Sequence, residues 1–263
     1  MKIITLLFLI ITTLFSKIYY AKVEPYEIRN ISSNVSGEII YIDENKIGKK
    51  LSSKAYIKID SMIDEKELIY LKDNLIQLKN MISSNKKVLK NLELLLEKKR
   101  KNYSKVKVLK IKSTVEKDRE FYDLIASENQ YLNTIKEINN LNVQISDLKL
   151  REVRLKKSIS DKNISAKGFI LYSILVKTGQ VVGIATPLAQ IADTSKGLLT
   201  IYLDEEDLAN IRDNKIYLDG LLSKYKISRL LYIADSKNIS KYKAQIIINS
   251  PKVFSKLVKV ELK

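Results

Sequence analysis

LIYLKDNLIQLKNMISSNKKVLKNLELLLEKKRKNYSKV, running from Leu68 to Val106, decides the fold. One apolar seam passes through Leu68, Leu75, Ile82, Leu89, Leu96 and Tyr103. A second passes through Leu71, Leu78, Asn85, Leu92, Lys99 and Val106. Each repeats every seventh position, and the two stand three and four residues apart. That is the period at which side chains line one face of a coiled-coil helix. Asn85 in the seam is either a pairing device or tolerated drift. The stretch lies inside Lys49–Lys167, a run with no Gly and no Pro, although the chain has 7 Gly and 3 Pro. A breaker-free run this long, dense in Leu, Ile, Lys and Glu, reads as long helix.

Working outward, Ser61 is a candidate N-cap, with Asp64, Glu65 and Glu67 in the first turn where the helix dipole favours carboxylates. The pattern breaks at Lys110–Thr114. Ser113-Thr-Val-Glu116 then has the form of a capping box, which restarts a helix. The second helix shows Leu124, Tyr131, Ile135, Ile138, Leu141, Ile145, Leu148, Leu155 and Ile159, and the spacing 135–138–141 predicts a stutter. Two helices of about 50 residues folded back on each other make an arm of roughly 75 Å.

The flanks read as β-structure. Val35–Asp43 is rich in β-branched residues, and Ala55, Ile57 and Ile59 alternate with Lys54, Tyr56 and Lys58. After the helices, Gly168–Val176 is apolar, and a turn at Gly179 leads to Val181, Val182, Leu188 and Ile191. Gly37 with Gly48 parallels Gly168 with Gly179 at the same spacing. This internal repeat predicts two halves that close as one pseudo-symmetric β body around the helical insert. Lys22–Asn34 reads as polar and irregular. Past Leu198, short alternating segments predict a small antiparallel barrel: Leu199–Leu203, Ile216–Leu218, Tyr225–Ile227, Leu230–Ile233, Tyr242–Ile248 and Val258–Leu262.

Composition excludes much chemistry. With Cys 0 and His 0, there is no thiol or imidazole nucleophile and no soft-metal ligand set. The three methionines, Met1, Met62 and Met81, form no thioether cluster. No catalytic constellation assembles from the carboxylates, hydroxyls and lysines, so no enzyme, no cofactor and no metal are expected. The net charge of +17 comes mainly from lysines spread along the chain, which does not indicate nucleic-acid binding. Ile3–Phe15 is apolar apart from three threonines and follows Lys2. It fits a signal-peptide core better than a span of about 20 residues. Ala21 is the candidate last residue removed, with the bulky Tyr19 two positions before it. An uncleaved anchor extended through Ile18–Tyr20 is the alternative.

The order of parts resembles the membrane-fusion proteins, periplasmic adaptors of the haemolysin-secretion (HlyD) type. The resemblance rests on Val35-Ser-Gly37-Glu-Ile39 with Gly48, Leu51 and Ile59-Asp60, and on Ile164, Ala166, Gly168, Val176, Gly179, Val181 and Pro187-Leu188. It implies an α+β chain in which a split lipoyl-like domain is interrupted by a long antiparallel coiled-coil hairpin and followed by a small β-barrel. The implied bounds are 1–21 for the export segment, 22–60 and 163–195 for the two lipoyl-like halves, 61–162 for the hairpin with its turn near 111–115, and 196–263 for the barrel. The family's second turn glycine is replaced here by Lys54 and Ala185.

The resemblance also implies a periplasmic, inner-membrane-associated adaptor. It would join an inner-membrane transporter (ABC, RND or MFS type) to a TolC-like outer-membrane channel, as a homo-oligomer such as a hexameric ring. The family's hairpin tip meets the channel through an Arg–Leu–Ser pattern. Lys105 stands in the Arg position, Leu109 matches, and Glu116 stands in the Ser position. Lys lacks the bidentate fork of Arg. The competing reading has Leu109 pack the last hairpin layer, Lys105 solvated and Glu116 serving only the capping box. The chain is strongly basic from Glu97 to Arg119, which would complement an acidic channel rim. Two other functions compete. An exported coiled-coil scaffold or adhesin explains the helices but not the glycine repeats. A biotin or lipoate carrier needs a lysine on the turn that the insert replaces.

Overall fold

Nothing in Lys49–Lys167 stops helix propagation, because no residue there lacks an N–H or loosens the backbone as Gly does. The computed structural model describes residues 17–208, 211, 214–234 and 241–263. The chain opens with β1 (Lys17–Ser32), β2 (Gly37–Ile42) and β3 (Ile57–Ile59), and then forms α1 (Met62–Val108) and α2 (Thr114–Lys162). Next come β4 (Asn163–Ile164), β5 (Ile170–Ile174), β6 (Val181–Val182) and β7 (Pro187–Leu203). Past a 3-10 turn at Glu205–Asp207 lie β8 (Ile216–Leu218), β9 (Leu221–Leu222), β10 (Ile227–Ala234), β11 (Tyr242–Asn249) and β12 (Leu257–Leu262). The fold is α+β, and the strand ladders named below are antiparallel.

The chain divides into two compact units. The first comprises the residues up to Ser33, Tyr41–Ile57 and Ser165–Lys263. Its 8-stranded sheet runs β10-β11-β7-β1-β12-β8-β9, with β5 also on β7. β7 is the central strand. Ala192 lies between Ile28 of β1 and Ile170 of β5, and Leu199 lies between Val23 and Ile246. Leu199, Ile246 and Val260 are fully buried in this core. Full burial of each is worth about 1.5–3 kcal/mol.

The two segments that flank the helices in sequence meet inside this unit. Gly48 N–H donates to Leu171 O (2.8 Å), Leu171 N–H to Lys49 O (3.2 Å), Leu51 N–H to Phe169 O (2.8 Å) and Gly168 N–H to Leu51 O (3.0 Å). These bonds satisfy backbone groups on both sides of the insertion at once.

One expectation needs correction here. Lys22–Asn34 is not irregular. Lys22–Ser32 belongs to β1, in which Ala21 and Val23 face the core while Lys22 and Glu24 face out. The ladder shifts register between Pro25 and Glu27, which accommodates the missing proline N–H. Lys17–Ala21, expected as the end of the export segment, pairs with β12 from Leu262 to Val258. β7 runs unbroken across the expected bound between 195 and 196. The anchor or leader residues themselves, 1–16, lie outside the described residues. Among the described residues no helix is long and apolar enough to cross a membrane.

The second unit holds Asn34–Ile40 and Lys58–Ile164. β4, β3 and β2 lie side by side, and α1 and α2 run antiparallel. Arg151 with Glu67 (2.5 Å) and Arg100 with Glu128 (2.7 Å) cross between them at opposite ends. Leu71, Leu75, Ile82, Ile138, Leu141 and Ile145 form their apolar core. Exposed ion pairs contribute about 0–1 kcal/mol each, so the seam holds the helices together. The cluster at the base is better sheltered: Asp64 takes Lys162 at 3.1 Å and the Ser158 hydroxyl at 2.6 Å.

The predicted stutter is absent. Burial on α2 follows an unbroken three–four rhythm through Leu124, Ser127, Tyr131, Thr134, Ile138, Leu141, Ile145, Leu148, Glu152 and Leu155. Three polar seam positions hid that rhythm. Ser127 is buried, and its hydroxyl donates to Asp123 O at 2.9 Å. Ser61 occupies the N-cap without capping: its hydroxyl donates to Glu65 (2.6 Å), while Asp60 accepts from the Met62 N–H (2.9 Å).

Two stability outcomes follow from strain and from an orphan group. Ala185 holds φ 66, a left-handed conformation that disfavours a Cβ. Ala185→Gly should stabilise by about 0.5–1 kcal/mol after the extra unfolded-state entropy is subtracted, read as a raised midpoint in urea at unchanged slope. Tyr56 is 1% exposed, and its hydroxyl has no partner among the described residues. Burial pushes this phenol up to about 12. Tyr56→Phe should therefore be neutral or stabilise by about 1 kcal/mol in the same measurement. A loss above that would reveal a partner for the hydroxyl.

Candidate functional site

The turn between the helices concentrates the exposed chemistry of the helical unit. α1 ends at Leu109, where the backbone becomes extended (φ −72, ψ 122). Ser113 then caps α2 through a complete capping box. Its hydroxyl accepts from the Glu116 N–H (3.3 Å), and Glu116 Oε2 accepts from the Ser113 N–H (3.0 Å). Lys112 reaches Glu116 Oε1 at 2.9 Å. The Lys112 ammonium, followed by the Ser113 N–H and hydroxyl, holds the Glu116 carboxyl down at about 2. Two orphan donors of the helix end are thus satisfied without glycine.

Below the turn, Tyr103 and Phe121 pack with ring centres 5.5 Å apart, and Lys99 donates to Asp123 O at 3.2 Å. Lys99 sits in the seam as the heptad requires and reaches out to a carbonyl. The last layers of the pair are therefore fixed by aromatic and polar contacts.

Lys105 lies exposed in the last turn of α1, Leu109 is its half-exposed C-cap, and Glu116 is committed to the capping box. The three are brought to one end of the helix pair, with different local duties. Sequence reasoning missed their apolar neighbours. Ile111 is 90% exposed, and Val108 and Val115 are 76% and 77% exposed. Four apolar side chains here, Leu109 included, stand among Lys105, Lys107, Lys110 and Lys112 in open solvent. The available signal was position: Val108, Ile111 and Val115 are apolar yet off the seam. Such a patch, ringed by cations, fits a partner surface of apolar hollows with an acidic rim.

The four turn glycines divide into two kinds. Gly48 (φ 76), Gly168 (φ 96) and Gly179 (φ 84) take left-handed conformations. Gly37 is set by close approach, since a Cβ there would lie 2.6 Å from Ile59 Cγ2. Gly48 and Gly179 are therefore equivalent in the repeat, whereas Gly37 and Gly168 are not. No group of three or more acidic side chains that could hold a metal ion occurs among the described residues.

No protein-family model and no curated protein matches the sequence. Solved structures do. MacA from Actinobacillus actinomycetemcomitans superposes with a TM-score of 0.72 at 16% identity, over 94% of this chain and 78% of that one. This chain has the fold of MacA. The membrane fusion protein Spr0693 from Streptococcus pneumoniae R6 gives a TM-score of 0.50 at 13% identity, over 94% and 99% of the two chains. A putative efflux transporter from Bacteroides eggerthii DSM 20697 gives 0.50 at 14% identity, over 94% and 68%. At these identities the likeness is one of fold.

The capping box predicts a pH response. A depressed carboxylate stabilises the turn fully above the ordinary glutamate value of 4.5 and loses that contribution as pH falls toward about 2. The Ser113 amide resonance should titrate with a midpoint near 2, and Glu116→Gln should abolish the transition. A midpoint near 4.5 would show the box unformed.

Proposed function

We propose that this chain is an exported adaptor that links an inner-membrane transporter to an outer-membrane channel in a tripartite efflux or secretion system. The backbone ladder between Lys49–Leu51 and Gly168–Leu171 carries this reading. A helical scaffold or adhesin has no need to close its two β flanks on each other. An adaptor needs one β body from which the helices leave and to which they return. The likeness to MacA over 94% of the chain supports the same reading, as do the likenesses to a membrane fusion protein and a putative efflux transporter.

In this reading residues 22–60 and 163–195 form a split lipoyl-like domain, residues 196–263 a small β-barrel, and the helices a coiled-coil hairpin. The protein acts in the periplasm at the inner membrane as a homo-oligomeric ring. Its work is to seal and couple a conduit, without catalysis. The interhelix turn meets the channel: Leu109, Ile111 and Val115 supply apolar contact, and Lys105 and its neighbours supply charge. Glu116 serves by holding the turn's shape.

Because the chain has no cysteine, a single introduced thiol is unique. Leu109→Cys should crosslink to an outer-membrane channel protein in cells. Ile69→Cys, 59% exposed on α1 and far along the helix from the turn, should not. Ile111→Glu with Val115→Glu should lower export at least tenfold while leaving the fold intact by circular dichroism. Unchanged export in that double variant would remove the turn from the mechanism.

A further inference from the structure

β1 bears on where an export leader could be removed. The fold leaves no room for a boundary at Ala21. Residues 17–21 supply five of the six positions at which β1 pairs with β12. Ala21 is 1% exposed in the core beside Val258 and Val260. Tyr19 turns inward, and its hydroxyl donates to the Asp207 carboxylate. Lys17 reaches Asp207 at 2.8 Å and Glu206 at 3.5 Å. A chain beginning at Lys22 would leave most of that edge of β12 unpaired, open the core at Ala21, and strand the half-buried Asp207 without its cation.

The next small residue toward the N-terminus is Ser16. It directly follows the apolar run Ile3–Phe15, which has the length of a leader core and falls short of the roughly 20 residues a span needs. Neither Ser16 nor Ala21 has a small residue two positions before it (Leu14 and Tyr19), so the local pattern does not choose between them. The fold does. We propose that the Ser16–Lys17 peptide bond is the export-processing site and that Lys17 is the first residue of the mature protein.

The step is hydrolysis by a membrane-bound leader peptidase. Water adds across the amide, leaving a carboxylate on Ser16 and an α-ammonium on Lys17. The cut comes while the chain is still threaded and β1 is unpaired. Afterwards the new charge lies on a residue whose side chain is held by the acidic turn Asp204–Asp207, where four consecutive carboxylates make a favourable setting for it. The proposal rests on the export half of the function proposed above and is independent of channel docking.

The full chain, expressed in an exporting bacterium and recovered from the periplasmic and membrane fractions, tests it by intact mass and N-terminal sequencing. Lys17 is expected as the first residue, with the mass of residues 1–16 lost. Ser16→Leu places a bulky side chain at the cut and should abolish this product. Tyr19→Phe should leave the N-terminus unchanged while lowering the melting temperature. A first residue of Lys22, or an exported chain that keeps residues 1–16, overturns the site. An uncut chain confined to the cytoplasm overturns the export reading and the site with it.

Discussion

Everything in this molecule depends on four backbone hydrogen bonds that join Gly48–Leu51 to Gly168–Leu171. They close a loop of more than a hundred residues. Were that loop flexible, closure would cost on the order of 4 kcal/mol plus a constant, more than four backbone bonds return at about 1 kcal/mol each. The helices remove the problem. α1 has 47 residues and α2 has 49, so the chain runs out and back over nearly equal lengths and returns close to where it left. The β pairing and the helix pairing are thus conditions for each other. The seam pre-closes the loop, and the ladder fixes its ends.

That reciprocity explains why the helices could be read from sequence and their details could not. α1 carries Leu or Ile at most seam positions, and every seam residue named from the heptad is buried or half-buried. α2 has Ser127, Thr134 and Glu152 at seam positions, and apolar residues such as Ile135 just beside them. A hydrophobicity pattern follows the apolar neighbours and invents a stutter. The geometry follows the partner helix. Ser127 satisfies its hydroxyl on its own helix at Asp123 O, so a polar residue costs little in the seam and leaves no apolar mark.

The β regions were legible in proportion to how one-sided they are. β12 alternates cleanly and was found, as were β8 and β11 within a residue or so. β1 was missed for two reasons. Its charged outward residues and Pro25 look like a linker, and its first residues look like the tail of an apolar export segment. Only pairing with β12 and β7 shows that Ala21 and Val23 point inward. β7 hides the opposite way. At 17 residues it serves two β regions, so a boundary drawn where the composition changes falls inside a strand. Sequence marks changes of composition, whereas hydrogen bonding marks where a body ends.

The site shows the same division between what a motif names and what geometry assigns. Lys105, Leu109 and Glu116 share one end of the helix pair. Glu116, however, has both carboxylate oxygens engaged by Lys112 and Ser113. A carboxylate held that low in pKa adds one negative charge to a lysine-rich turn and neutralises one of its cations. The surface left over is then apolar at Val108, Leu109, Ile111 and Val115, and cationic around that patch. Apolar burial supplies most of the binding free energy at such contacts, while the lysines govern approach and orientation. A serine in place of Glu116 could still cap but would leave Lys112 unpaired. Glu116 therefore closes the turn from both sides and removes one positive charge from the lysine-rich patch.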